Sequence, residues 1–252
     1  MIFKRAVAKL RAQDWTAIAI ELVIVTVGVL IALAAQQWAE DRSWNDKVEA
    51  TRTALRFELA EHYDYAVEYR VIYPCLQAQI YRLRDRVLAS GSTLDPAPLY
   101  SEEDGSHYVF RMPGKNYPTD AWEAAVSDGT IRSFDPALRR QLAGHYTQLP
   151  EMAAMLAEVE ANEPAFVALA HRLPLDPAVR YSIIKDIERV RGRFEYLDMV
   201  HGQLIENIEK AGMLPTPENA ERVTKRYGTY RFCKAHGLPM RSFKDAMQAV
   251  PN

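Results

Sequence analysis

Three of the six histidines, His62, His145 and His201, fall on the apolar seams of three different stretches of helical periodicity. Three imidazoles converging inside a bundle would make a tridentate transition-metal site. The expected levels argue against it. If the first helix rises, the second descends and the third rises again, His62 and His201 lie about 15 Å apart along the bundle axis. Each is therefore read as a core histidine satisfied by hydrogen bonds, and neither metal nor other cofactor is expected. Glu58, Glu61, His62, Asp64 and Glu68 form an acidic patch in which Glu58 and His62 are one turn apart. A divalent cation could sit there, but the patch is read first as a solvated helix face. The chain has no HExxH, GxSxG, Walker A, GxGxxG or CxxC motif. No catalytic residue is nominated, and the chain is read as a non-enzyme.

Three further groups carry potential chemistry. Glu21 is the single charge between Trp15 and Trp38, and an ionisable residue inside a membrane span is a functional candidate by default. It shares a helical face with Ala17, Gly28, Ala32 and Ala35, and Gly28 and Ala32 stand at small-xxx-small spacing. This face is read as meeting protein, against the alternative that Glu21 snorkels to the nearby interface. The two cysteines, Cys75 and Cys233, are too few for a zinc cage or a disulfide scaffold, but in an oxidising compartment they would pair. The C-terminal stretch interleaves Arg222, Lys225, Arg226, Arg231, Lys234, Arg241 and Lys244 with Tyr227, Tyr230 and Phe232. Such a pattern can bind nucleic acid. The compartment and the overall net charge of −2 argue instead for contact with the acidic bundle or an anionic partner.

These residues need elements to position them, and the composition favours helices. Of 252 residues 48% are hydrophobic and 25% charged, while glycine contributes only 11. Leu55, Leu59, His62, Ala66, Tyr69, Tyr73, Leu76, Ile80, Leu83 and Val87 repeat at spacings of four and three, one stripe of a long helix that Pro74 should kink. Residues 91–118, rich in glycine and proline, read as a long loop at the tip farthest from the membrane, with a possible hairpin near Tyr108–Arg111. A short helix follows, with Asp120 and Glu123 at capping-box spacing and Gly129 as its stop. Asp135-Pro136 and Asp176-Pro177 each read as N-cap and first turn of a longer helix. The former is segmented by Pro150 and Pro164, the latter closed by Gly212. One or two short helices complete 215–252. The fold expected is all-α, a transmembrane helix continuing into an antiparallel helix bundle.

A mean hydropathy of −0.25 hides one concentrated apolar segment, 15–38, in which eleven residues are Ile, Leu or Val. At about 36 Å of helix it is long enough to cross a bilayer core of roughly 30 Å. Trp15 and Trp38 bracket it as interfacial anchors. Lys4, Arg5, Lys9 and Arg11 precede it, so the positive-inside rule puts a basic tail, 1–14, in the cytoplasm. The bundle, 39–214, and the basic segment, 215–252, then lie in a bacterial periplasm. A cleaved signal peptide is the competing reading, because Ala32-Leu33-Ala34 offers a small-x-small site.

The run Glu21-Leu22-Val23-Ile24-Val25-Thr26-Val27-Gly28-Val29-Leu30-Ile31-Ala32-Leu33, ending near Trp38, resembles the anchor of an uncharacterised bacterial family of single-pass inner-membrane proteins. A second stretch is similar to a later pattern in that family: Ala121-Trp122-Glu123, Ser127, Gly129, Ile131, Leu138-Arg139 and His145-Tyr146. The resemblance implies an inner-membrane anchor with a helical periplasmic domain, and no activity. Ile20-Glu21-Leu22 also resembles the N-terminal helix of type IV pilins, but Thr16 stands where that family needs glycine for processing. The function expected is an accessory or scaffolding subunit of a larger inner-membrane assembly. It would meet the lipid bilayer and an integral membrane protein or a second copy, and no nucleic acid. A helical-bundle sensor signalling through a partner and a pilin-like subunit are the alternatives.

Overall fold

The computed structural model describes residues 15–102 and 105–248, apart from the side chains of Trp15, Ala17 and Pro217. Helix accounts for 74% and strand for 3%, so the fold is all-α. In chain order the elements are α1 (Trp15–Ala89), β1 (Thr93–Leu94), β2 (Tyr100–Ser101), β3 (His107–Tyr108), α2 (Asp120–Ser127), a 3-10 turn (Thr130–Ser133), α3 (Pro136–Ala161), α4 (Glu163–Ala168), β4 (Leu173–Pro174), α5 (Pro177–Lys210), α6 (Pro217–Thr224), α7 (Gly228–Ala235) and α8 (Phe243–Ala246). The chain divides into two compact units, 1–50 and 51–252, and α1 supplies residues to both.

The first unit is, in its described part, a single helix. Its 18-residue apolar window has a mean hydropathy of 2.7 with none of it buried, and it is the one helix long and apolar enough to cross a membrane among the described residues. The Thr26 hydroxyl bonds the Leu22 carbonyl at 2.8 Å, which satisfies it within its own helix. The basic tail, 1–14, lies outside the described residues.

The second unit is a bundle built on α1, α3 and α5. Every seam residue named for α1 is buried except Tyr73, which is half-buried. Two helix starts are capped as the sequence dictates. The Asp135 carboxylate accepts the Ala137 and Leu138 N–H groups at 2.8 and 3.3 Å, and Asp176 accepts that of Val179 at 2.8 Å, each with proline in the first turn. Helix α5 ends at Gly212, φ +66°, where the Gly212 N–H reaches the Glu209 carbonyl and the Met213 N–H that of Ile208. That paired return needs a left-handed residue, which glycine adopts without a Cβ clash. Cys75 and Cys233 form a disulfide with Cα atoms 6.1 Å apart.

Four local expectations are corrected. Helix α3 runs unbroken through Pro150, and Pro164 opens α4 instead. The hairpin pairs Tyr100–Ser101 with His107–Tyr108, earlier than expected. Helix α2 is not capped by Asp120, which is already its first helical residue. Lastly, α3 runs parallel to α1. Helix α5 is antiparallel to α1, with Arg180 against Val87, Arg84 near Glu188 and Arg70 near Asp198. It is antiparallel to α3 as well, with Arg193 on Glu158 and Tyr196 on Glu151.

The connection between α1 and α2 explains that direction. It is a strap lying back along α1 rather than a tip. Gln79 exchanges two hydrogen bonds with the Arg111 backbone, at 2.8 and 3.1 Å. Lys115 sits 3.3 Å from Glu68, the Pro118 carbonyl accepts from His62 at 2.7 Å, and the Ala121 N–H donates to Glu58 at 2.8 Å. Ten strap residues, about 33 Å when extended, thus descend twenty-one residues of helix, about 32 Å. The chain returns to the starting level of the bundle before α3 begins.

Candidate functional site

The strap closes over a buried polar cluster built from α1, α2, α3 and α5. Glu58 and His62, one turn apart on α1, face α3. The Glu58 carboxylate accepts the Ala121 and Trp122 N–H groups at 2.8 and 3.3 Å and the Tyr146 hydroxyl at 2.5 Å. These two amides are the second and third of α2, the ones an N-cap side chain normally satisfies. Here the cap comes from 63 residues upstream, and the helix dipole meets a negative charge.

His62 and His145 bond to each other, Nδ1 to Nε2, at 2.8 Å. The Pro118 carbonyl can only accept, so His62 Nε2 carries the proton. In the neutral ring Nδ1 is then the acceptor, and the His145 Nε2–H donates to it. His145 Nδ1 is left as a buried lone pair without a hydrogen-bond partner. On the other side of the strap, His201 Nδ1–H donates to the Leu197 carbonyl at 2.5 Å, so its Nε2 accepts the Tyr117 hydroxyl at 2.7 Å. Tyr69 stacks on His201 with ring centroids 4.2 Å apart, and the Tyr117 ring stands edge-on to His62 at 5.3 Å.

Burial decides the charge state of all three imidazoles. It holds His62 down at about 4, partly offset by the Pro118 carbonyl and by Glu61. It holds His145 at about 3, with His62 adding to the effect. His201 also falls to about 3, against the pull of the Leu197 carbonyl. Two residues beyond His62 on α1, burial raises Asp64 to about 6, helped by the Glu61 charge. It raises Glu68 to about 7, and Lys115 and the Tyr230 backbone N–H limit that rise.

Of the three histidines, the fold brings two together. His201 belongs to the level of Tyr69, about 10 Å of helix rise from His62, and Tyr117 fills the space between them. Among the described residues no group of three His, Cys, Asp or Glu is placed to hold a metal. The acidic patch is corrected from a solvated face. Glu58, Asp64 and Glu68 are buried, the first capping α2 and the last paired with Lys115, and only Glu61 is exposed. Arg241 of the basic C-terminal stretch makes a two-pronged pair with Asp198 of the bundle, both contacts at 2.9 Å.

No family model, curated protein or solved structure matches this chain.

Glu21, Gly28, Ala32 and Ala35 are exposed on one face of α1, and a Cβ added at Gly28 would meet nothing within 4 Å. Trp38 is exposed, with the Arg42 guanidinium 5.9 Å from its ring; the Trp15 side chain lies outside the described residues. Sequence reasoning missed Tyr117, Tyr146, Trp122 and Lys115 as site residues. Trp122 stacks on Tyr146 at 4.7 Å, and both belong to the pattern of residues running from Ala121 to Tyr146. That pattern converges on Glu58 and His62: its Ala121 and Trp122 amides and its Tyr146 bond the first, and its His145 the second. Tyr117 and Lys115 lie in a loop with no periodicity, where no sequence signal marks them.

Proposed function

We propose that the chain is a non-enzymatic, single-pass subunit that scaffolds or accessorises a larger assembly of the bacterial inner membrane, of the single-pass family its anchor resembles. In this reading 1–14 is cytoplasmic, 15–38 spans the bilayer and 39–252 is periplasmic. The observation that carries it is the pairing, in one chain, of a wholly exposed apolar window with a disulfide-closed helical bundle. A bare apolar helix of this length is stable in lipid and not in water, and a disulfide persists outside the reducing cytoplasm. The buried cluster fits a structural role, because its histidines are neutral and Glu58, His62, His201, Tyr117 and Tyr146 hydrogen-bond to one another or to nearby backbone. Glu21, Gly28, Ala32 and Ala35 would meet an integral membrane partner or a second copy, since helices in lipid associate through small residues and polar contacts.

Two measurements test this. A reporter active only in the periplasm, fused after Asn252, should be active, and activity of a cytoplasmic reporter at that position would reverse the topology. Gly28→Leu should insert normally but release proteins that co-purify in mild detergent. Full retention by both Gly28→Leu and Glu21→Gln would remove the interaction face from the proposal.

A further inference from the structure

Indole and phenol are, with thiols, the side chains that give up a single electron most readily, and both thiols of this chain are tied up in the disulfide. The rings of Trp122 and Tyr146 stack with planes 7° apart and centroids 4.7 Å apart, close enough for charge to pass between their π systems. Trp122 is half-buried on the wall of a cleft between the strap and α3, and Tyr146 is buried beneath it. An electron can therefore leave outward through the indole. The Tyr146 hydroxyl is turned inward and donates to the buried Glu58 carboxylate at 2.5 Å. Burial, that hydrogen bond and the Glu58 charge hold the phenol well above its usual range, so it keeps its proton until it is oxidised. An oxidised phenol is a strong acid, and the carboxylate is in place to take the proton.

Three neighbouring phenols compete for the electron vacancy, and charge decides against each. Tyr117 donates to His201 Nε2 at 2.7 Å, but moving its proton would create an imidazolium where burial already holds His201 down at about 3. Moving the Tyr146 proton neutralises a buried anion instead, which burial favours. Tyr65 also has a carboxylate, Glu61, as hydrogen-bond acceptor. Its ring, however, shares the Lys115 ammonium with Tyr227, the nitrogen lying 4.7 and 3.3 Å from the two centroids. A cation against a π face opposes the loss of an electron from it. Tyr146 is left as the phenol whose oxidation its surroundings support.

We propose that Trp122 and Tyr146 form an electron-donor site for freely diffusing one-electron oxidants that reach the cleft. The oxidant takes one electron from Trp122, Tyr146 refills the indole, and the Tyr146 O–H bond breaks as its proton passes to Glu58. One electron has then left the protein, and a neutral phenoxyl faces a neutral carboxyl group. The test uses the full chain in a non-ionic detergent, with flash-generated tris(bipyridine)ruthenium(III) as the oxidant and freeze-quench electron paramagnetic resonance as the readout. A persistent neutral tyrosyl radical should form, disappear in Tyr146→Phe and remain in Tyr117→Phe and Tyr65→Phe. Glu58→Gln keeps an oxygen for the hydroxyl and the α2 amides but is no base, and should slow radical formation about a hundredfold, the low end of what a positioned base supplies. Trp122→Phe keeps the stack but not the readily oxidised indole, and should slow formation severalfold. Absence of the radical in the wild type would overturn the proposal, as would its survival in Tyr146→Phe or its loss in Tyr117→Phe or Tyr65→Phe. So would an unchanged rate in Glu58→Gln or in Trp122→Phe.

Discussion

A neutral histidine pair fixes its own tautomers when one of its nitrogens faces a carbonyl. The Pro118 carbonyl does this for His62, and the consequence passes to His145, so both rings should carry their proton on Nε2. Long-range 1H–15N spectra report the tautomer directly; a protonated His62 Nδ1 would undo the assignment. Glu58 is the other residue on which much depends. In Glu58→Ala the Tyr146 hydroxyl and two α2 amides lose their acceptor, with an expected cost of about 3 kcal/mol, while Glu58→Gln keeps an oxygen there and should cost about 1. Denaturant midpoints of the two variants measure the difference. At this scale the sequence is half legible. Seam positions mark His62, His145 and His201 as interior, because a 3.6-residue period reads burial without knowing the partner. The partners stayed hidden: Pro118 acts through its backbone carbonyl and Tyr117 from a loop, and neither kind of contact leaves a pattern.

Helix ends show where local rules suffice and where they fail. Asp135, Asp176 and Gly212 act within a few residues of themselves, so spacing alone places them. Two other ends are finished from a distance. Helix α2 takes its cap from Glu58, and the end of α1 is closed by Arg180, whose guanidinium bonds the carbonyls of Val87, Ser90 and Gly91. A cation on the last carbonyls also meets the negative end of the helix dipole. Arg180→Ala should therefore speed amide exchange over 86–92 and cost about 1–2 kcal/mol, with little effect on exchange in α3. The Cys75–Cys233 bridge ties α1 to α7 and closes a 158-residue separation, worth about 5 kcal/mol in the chain-entropy model. Thermal unfolding with and without reductant should show a large fall in midpoint, and both thiols should resist alkylation until reduction.

For the molecule as a whole, pH acts through two opposed sets of buried groups. The three histidines have depressed folded pKa values, so their stabilisation is complete above about 6.5 and lost as the pH falls toward 4 and 3. Asp64 and Glu68 are raised, to about 6 and 7, so they stabilise below about 4 and that contribution is lost as the pH rises through those values. Between pH 6 and 4.5 the histidines outnumber the acids, and unfolding should take up about one net proton, a loss of roughly 1.4 kcal/mol per pH unit. Asp64→Asn removes one opposing group and should raise the uptake to about two; unfolding curves at stepped pH measure it. The direction of α3 was beyond the sequence because a glycine- and proline-rich connection gives its length but not its course, and a loop that turns at the tip has the same composition as one that returns. That course has a further consequence. With Arg111, Lys115, Pro118 and Ala121 each seated on a fixed level of α1, the strap is a measuring rod cut to length. One residue added between Lys115 and Tyr117 adds about 3.3 Å and puts the seats on either side out of step. The same insertion between Leu214 and Pro215, in an open connection, should leave the fold unmoved.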